Sequence, residues 1–203
     1  APHLLRAAVP TPPTTAAEPI VGIQALWALD ETKRSQPHRF QIDAVVHHYD
    51  PVWHQLWAQE GDTTFFLAPS GPPLPIRSGQ FVRLTGVTTP ANLSQVATLS
   101  AAVLDDRHAL PPMATTGNLG DFNRFNERLV EVAGLVESQT RIDTNHLRAV
   151  LIAEGIRLDA NIWLEADSPA PRLTDSFVRM QGVYSSRLDP EGRLQSITLV
   201  VPA

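Results

Sequence analysis

The chain has 203 residues, a formal net charge of −5 and no cysteine. Its 16 basic residues are outnumbered by 21 acidic ones, and Lys33 is the sole lysine, which argues against a general nucleic-acid binder. The lack of cysteine excludes disulfides, thiolate zinc sites and cysteine nucleophiles. No apolar run is long enough for a transmembrane helix, so contact with a membrane would need a segment outside this chain.

The N-terminal part divides into two short segments. Residues 1–19 are rich in Pro, Thr and Ala, which predicts an extended or disordered lead-in. The spacing of Ile23, Leu26 and Trp27, continued by residues 30–34, predicts a short amphipathic helix.

The remaining sequence contains two copies of a β pattern. Alternating residues of the first copy recur in the second at an offset of 90 positions (136 − 46), and these are Phe40, Ile42, Ala44 and Val46, matched by Val130, Val132, Gly134 and Val136. The motif Phe-Val-Arg-x-x-Gly-Val occurs at 81–87 and again at 177–183, an offset of 96. Two matched strands at nearly constant separation indicate a duplicated unit. The motif glycines, Gly86 and Gly182, suit barrel corners where a side chain would crowd the neighbouring strand.

Each copy contains five predicted strands. They span about 39–48, 53–60, 63–68, 80–88 and 95–104 in the first copy, and 128–138, 146–153, 157–164, 176–184 and 193–201 in the second. This pattern predicts an all-β fold of two tandem OB-like five-stranded Greek-key barrels with a short N-terminal helix. The predicted divisions are a lead-in at 1–19, a first domain at 20–110, a linker at 111–126 and a second domain at 127–203.

The stretch from Val45 to Gly61 concentrates His47, His48, His54 and several carboxylates, which raises the question of a metal site. His47 and His48 point to opposite faces of a regular strand and would need a bulge to reach one ion. We therefore predict no metal and no cofactor. The serines lie in no nucleophile motif and no phosphate-binding loop is present, so the sequence also predicts no enzymatic activity.

The aromatic residues of the first copy are more informative. Strand alternation places Leu56, Ala58, Phe65 and Leu67 in the core and the intervening side chains outside. The outward face is the predicted ligand site, formed by Trp53, Gln55, Trp57, Gln59, Phe66 and, at its edge, His47. OB folds commonly bind sugars or nucleotides on this face. The alternative, slightly favoured, is that the two rings Trp57 and Phe66 pack against the N-terminal helix through Trp27, or against the second barrel.

Several segments resemble a known receptor family. They are "PIVGIQALWAL", "IDAVVHHYDPVWHQLWAQEGDTTFFLAP", "IRSGQFVRLTGVT", "RLVEVAGLVES" and "DSFVRMQGVYSS". Over residues 19–203 they resemble the tandem OB-like segment that precedes many bacterial, often hybrid, sensor histidine kinases. The resemblance implies a non-enzymatic, periplasmic or otherwise extracytoplasmic sensory module of a two-component signalling receptor.

Two other functions are compatible with the sequence. One is a stand-alone periplasmic OB protein that binds a glycan or, less in keeping with its negative charge, an oligonucleotide. The other is a scaffold for protein contacts. The expected partner is therefore a small molecule, a glycan or a protein, with a homodimer among the options.

Overall fold

The computed structural model describes residues 18–90, 92–110, 113–115, 117–165 and 168–202. Strands account for 56% of the chain and helices for 7%, so the protein is all-β, as the sequence predicts. Of the predicted lead-in at 1–19, only residues 18 and 19 lie within the described ranges. No helix among the described residues is long and apolar enough to span a membrane.

The first unit is built from six strands and two one-turn helices. In chain order they are β1 (Ile20–Val21), α1 (Ile23–Trp27), α2 (Glu31–Arg34), β2 (Arg39–Asp50), β3 (Gln55–Glu60), β4 (Thr63–Pro69), β5 (Phe81–Thr89) and β6 (Asn92–Asp105).

The second unit repeats this plan with one helix. Its elements are β7 (Ala114–Thr115), α3 (Phe122–Phe125), β8 (Leu129–Arg141), β9 (His146–Ala153), β10 (Ile156–Trp163), β11 (Phe177–Leu188) and β12 (Leu194–Val201). Each of the ten predicted strands overlaps an observed one.

Each unit forms one sheet that closes on itself in a barrel-like manner. In the first, the order β2-β3-β4-β6-β5 is closed by pairing of β5 with β2, and β4 runs parallel to β6. In the second, the order β8-β9-β10-β12-β11 is closed by pairing of β11 with β8, and β10 runs parallel to β12. The short strands β1 and β7 add in parallel to β2 and β8.

The interior of each unit is filled by the alternating apolar residues. The predicted inward residues of the first unit are at most 1% exposed, and these are Phe40, Ile42, Ala44, Val46, Leu56, Ala58, Phe65 and Leu67. Val130, Val132 and Val136 take the same role in the second unit. Because strand residues alternate between faces, this burial leaves the opposite face of each sheet to meet solvent or the other unit.

The motif glycines lie where neighbouring backbone approaches closely. A Cβ on Gly86 would stand 2.5 Å from the Thr98 carbonyl oxygen, and one on Gly182 would overlap the Val200 carbonyl oxygen. The prediction that a side chain would crowd the neighbouring strand at these positions is confirmed.

The N-terminal helix is interrupted rather than continuous. The first helical segment ends at Trp27 with Ala28 as its C-cap, and Asp30 is the N-cap of the second, because its side chain accepts a hydrogen bond from the Lys33 backbone N–H at 2.8 Å. Aspartate is one of the residues preferred at the N-cap of a helix. Trp27 packs against the core of the first unit.

The predicted linker at 111–126 belongs, in its described part, to the second unit. Ala114 pairs with Val130, and the side chains of Leu119 and Phe125 are buried in the second core. The Leu119 N–H donates to Glu154 at the β9–β10 turn, as the Ile23 N–H donates to Glu60 in the first unit. The sequence did not indicate secondary structure in this segment, because a two-residue strand and a one-turn helix are too short to show periodicity.

Candidate functional site at the seam between the units

The outward aromatic face of the first unit is covered by the second unit. Trp57 is only 4% exposed and contacts a row of three side chains that are lateral neighbours on β8, β11 and β12, namely Leu129, Val183 and Val200. Phe66 packs beside this cluster with its ring centroid 5.0 Å from that of Trp57. We call these five residues the apolar contact. Of the two alternatives for the aromatic face, the structure has the packed one, against the second barrel and not against Trp27.

A polar cluster lies beside the apolar contact, and we call it the histidine cluster. Nε2 of His146 lies 2.8 Å from Oδ2 of Asp50, and its Nδ1 lies 2.7 Å from Oδ1 of Asp143. Trp53 stacks on the His146 ring at 3.7 Å between centroids and donates its indole N–H to Asp143 at 3.0 Å. Asp50 and Trp53 come from the first unit, whereas His146 and Asp143 come from the second. These contacts therefore cross the seam.

The two carboxylates of the histidine cluster are fixed by their own turns. The other oxygen of Asp50 accepts the backbone N–H groups of Val52 and Trp53, both at 2.8 Å, so the β2–β3 turn orients it. Although desolvation acts to raise the pKa of Asp143, hydrogen bonds from the Asn145 backbone, His146 and Trp53 lower it. The imidazolium form of His146, with an N–H on each nitrogen, can donate to both carboxylates at once.

His47 occupies a β-bulge in β2. The register between β2 and β3 shifts between Val46 and His48, so His47 is left out of the ladder and is fully buried. Neither ring nitrogen has a hydrogen-bond partner of good geometry, although the Gln59 side chain and the Glu127 backbone favour the charged form. Desolvation prevails and lowers the pKa of His47 to about 4. The ring is therefore neutral at pH 7.

His48 follows the bulge residue on the same outer face of the sheet, where it pairs with Trp57, and it lines a cavity at the seam. Its ring stacks on Trp57 at 5.8 Å and is 4% exposed. Burial lowers its pKa to about 4, with Asp50 favouring the charged form and His146 opposing it. Among the described residues, neither ring nitrogen of His48 has a hydrogen-bond partner.

The cavity, which we call the seam cavity, has a volume of about 290 Å³. Tyr49, Leu74 and Ile76 form its wall on the first unit, and Trp163 and Pro202 form its wall on the second. The Tyr49 hydroxyl accepts the Leu74 backbone N–H at 2.9 Å, which holds that wall in place.

The predicted site residues separate into two groups. Trp53, Trp57, Phe66 and His47 lie at the seam, as described above. Gln59 turns its amide to the Gly61 carbonyl oxygen at 2.6 Å, and Gln55 is half-buried beside Asp50 in the β2–β3 ladder. His54 lies in the turn with a φ of 53°, apart from the other two histidines in the sequence cluster. In the described ranges, no group of three or more His, Asp or Glu side chains has a geometry suited to a metal ion.

Sequence reasoning missed His146, Asp143 and Trp163. The spacing Asp143-x-x-His146 is a weak local signal that an acid and an imidazole can meet across a turn. Nothing local links His146 to Asp50, because the two are separated by 96 positions and meet only when the units pack.

Comparison with known proteins adds little. No protein-family model matches the chain, and no curated protein matches it significantly. A solved structure described as "Structural mimicry for functional antagonism" is 8% identical, with 82% of this chain and 88% of that chain covered. The TM-score of 0.32 is too low for this likeness to carry an argument.

Proposed function

We propose that each unit is an OB-like five-stranded Greek-key barrel. The support is the strand order: three consecutive antiparallel strands, then a fifth strand inserted in parallel between the third and the fourth, with the fourth closing on the first. OB folds are partly open five-stranded Greek-key barrels that commonly serve as binding modules.

On that basis, the chain is a non-enzymatic, extracytoplasmic sensory and ligand-binding module of a bacterial two-component signalling receptor, the input region of a sensor histidine kinase. The single observation that carries this proposal is the seam. The Asp50–His146 contact joins the two units next to a cavity that both units line. A ligand in that cavity can change how the units pack, which is the kind of differential contact that a sensor requires.

The histidine cluster supports binding rather than catalysis. General-base catalysis needs an imidazole nitrogen free to take a proton from a nucleophile or water. Both nitrogens of His146 are instead engaged by Asp50 and Asp143. The cluster therefore serves to hold the two units together.

The test of the receptor assignment is the coding sequence that follows Ala203. A membrane-spanning helix followed by a histidine kinase core supports it, whereas a catalytic domain of another class or a stop codon contradicts it. Fusion of alkaline phosphatase after residue 203 of the full N-terminal region reports the compartment, because this reporter is active only outside the cytoplasm.

A scaffold for protein contacts is the second candidate, and it also has an observation in its favour. Three exposed apolar side chains form a row across β11, β8 and β9, with Phe177 opposite Leu135 and Leu135 opposite Ile152. Phe177 is 76% exposed. Charges of both signs flank the row, including the Arg157–Glu137 pair at 2.8 Å. In a twofold-symmetric dimer the same patch meets itself, so a patch with both signs can pair with its copy. If two copies of the chain associate through this row, sedimentation shows a dimer for the wild type and a monomer for Phe177→Ser. A wild-type monomer contradicts this candidate.

A further inference from the structure

The seam cavity has the dimensions of a site for a small ligand. Its volume of about 290 Å³ lies just below the range for pockets that hold drug-sized ligands, about 300–1,000 Å³. Its walls are largely apolar and aromatic: Tyr49, Leu74 and Ile76 face Trp163 and Pro202. Such walls fit a flat, apolar body better than a sugar, which would leave hydroxyl groups without partners.

Two polar groups at the cavity have no hydrogen-bond partner among the residues that the structure describes. The buried His48 ring makes no hydrogen bond to any described residue, and the same is true of the Trp163 indole N–H. Both rings line the cavity, His48 at 4% exposure and Trp163 partly buried, so a ligand in the cavity can supply the hydrogen-bond partners that they lack. Neutral His48 and Trp163 each offer one N–H donor, so the groups are suited to an acceptor on a ligand.

The charge at the cavity is positive. Among the described residues that line it, Arg77 is the one Arg, Lys, Asp or Glu. Arg77 contacts Asp106 at 2.7 Å, but both side chains are more than half exposed, so this surface pair competes weakly with a ligand. The buried carboxylate of Asp50, which follows the lining residues His48 and Tyr49 in β2, is already engaged by His146 and by two backbone N–H groups.

We propose that the seam cavity binds a small organic carboxylate with a flat apolar body. The carboxylate accepts hydrogen bonds from Arg77, the Trp163 indole and the His48 ring, and the body packs between Tyr49, Leu74, Ile76 and Trp163. A single arginine among apolar walls matches one negative charge, whereas a phosphate group requires several cationic or backbone donors. This inference rests on the proposed function and names the ligand class of the same site.

The direct test is calorimetric titration of the whole chain at pH 7 with three probes that share a phenyl ring. Benzoate carries a carboxylate, benzamide is its neutral analogue, and benzylamine is its cationic one. We expect benzoate to bind, benzamide to bind about tenfold more weakly because the charge-assisted hydrogen bonds are lost, and benzylamine not to bind. Equal affinity for benzoate and benzamide, displacement of benzoate by equimolar inorganic phosphate, or no binding of benzoate at 10 mM overturns the proposal.

Three variants locate the binding site. Arg77→Gln lowers the benzoate affinity about tenfold, and Trp163→Phe, which keeps the ring and removes the N–H, lowers it about fivefold. Arg179→Gln is the matched control because Arg179 is a similarly exposed arginine outside the cavity. Unchanged benzoate binding in the first two variants, or an equal loss in the third, overturns the assignment to this cavity.

The outcomes separate the ligand from the receptor function. Thermal melting curves of the three variants confirm folding before titration, and all three substitutions lie at partly or fully exposed positions. A chain that fails to bind benzoate but is followed by a membrane helix and a kinase core refutes the ligand class and leaves the sensory function in place. A chain that binds benzoate but is followed by a stop codon supports the ligand class and refutes the receptor function.

Discussion

The two units share a fold but not an outer face. Both have a β-bulge at the equivalent place, between Val46 and His48 in the first unit and between Val136 and Ser138 in the second. The first bulge residue, His47, is fully buried. Its counterpart Glu137 is half exposed and forms a surface ion pair with Arg157.

The same contrast holds on the adjacent strands. The cross-strand pair Trp57–Phe66 of the first unit corresponds to Val150–Asp159 of the second, since each pair lies one step beyond the same bulge. Trp57 is covered, whereas Asp159 forms an exposed pair with Arg148. Both units have the same pattern of inward apolar residues. Their outer faces differ, and the second unit covers the aromatic outer face of the first.

The largest expected effect comes from removing the aromatic residue that distinguishes the first unit. Trp57→Ala opens a large hole in the apolar contact and should lower the free energy of unfolding by about 3–5 kcal/mol. The matched change in the second unit, Val150→Ala, removes less volume from a half-buried position and should cost about 1 kcal/mol. Urea denaturation measures both, and equal losses would contradict the asymmetry.

The next effect tests the buried His146–Asp50 contact against an exposed ion pair. Asp50→Asn removes a partner of His146 at a position 2% exposed and should cost about 3 kcal/mol. Asp159→Asn removes the exposed partner of Arg148 and should cost at most about 1 kcal/mol. The measurement is the midpoint of urea unfolding at pH 7 and 0.15 M salt. A similar loss in both variants would show that the histidine cluster does not hold the units together.

The third effect concerns what the units have in common. Gly86→Ala and Gly182→Ala both force a Cβ into the neighbouring backbone and should each cost about 2 kcal/mol. Gly117→Ala meets no atom within 4 Å and is the control. Thermal unfolding measures all three, and tolerance of alanine in only one unit would show that the shared motif has diverged in role.

The last effect is a pH dependence carried mainly by the first unit. Burial lowers the pKa values of His47 and His48 to about 4 from an unfolded value near 6.5. The unfolded chain therefore takes up more protons, and stability falls as pH drops from about 6.5 to 4. The raised pKa of Glu127, about 6, acts in the opposite direction, because its contribution is present at low pH and is lost as pH rises from 4.5 to 6. Two histidines outweigh one glutamate.

Urea midpoints at several pH values between 4 and 7 measure this dependence. His47→Leu should reduce the slope because it removes one of the two buried imidazoles. Glu137→Gln, at the equivalent bulge of the second unit, should leave the slope unchanged. An unaltered slope in His47→Leu would mean that His47 is not buried in its neutral form.

Prediction from the sequence succeeded wherever the signal was local and periodic. Phe65 and Leu67 are core residues because alternate side chains of one strand share a face, and this needs no knowledge of the partner strand. Leu119 and Phe125, which lie within the predicted linker, pack in the second core, but as isolated apolar residues without a period they carried no signal for it in the sequence. Trp53, Trp57 and Phe66, which the sequence singled out, lie at the seam, but the residues that meet them there were not predicted.

The sequence by itself determined the duplicated all-β plan, the inward face of each strand and the glycines at the closest backbone approaches. These depend on a period of two residues and on the absence of a Cβ. Only the tertiary structure decided that the aromatic face is covered, that His146 meets Asp50 across 96 positions, and that His48 and Trp163 line one cavity. Those contacts join separate units, and the relative placement of two packed surfaces depends on their shape and charge together, which no single stretch of sequence carries.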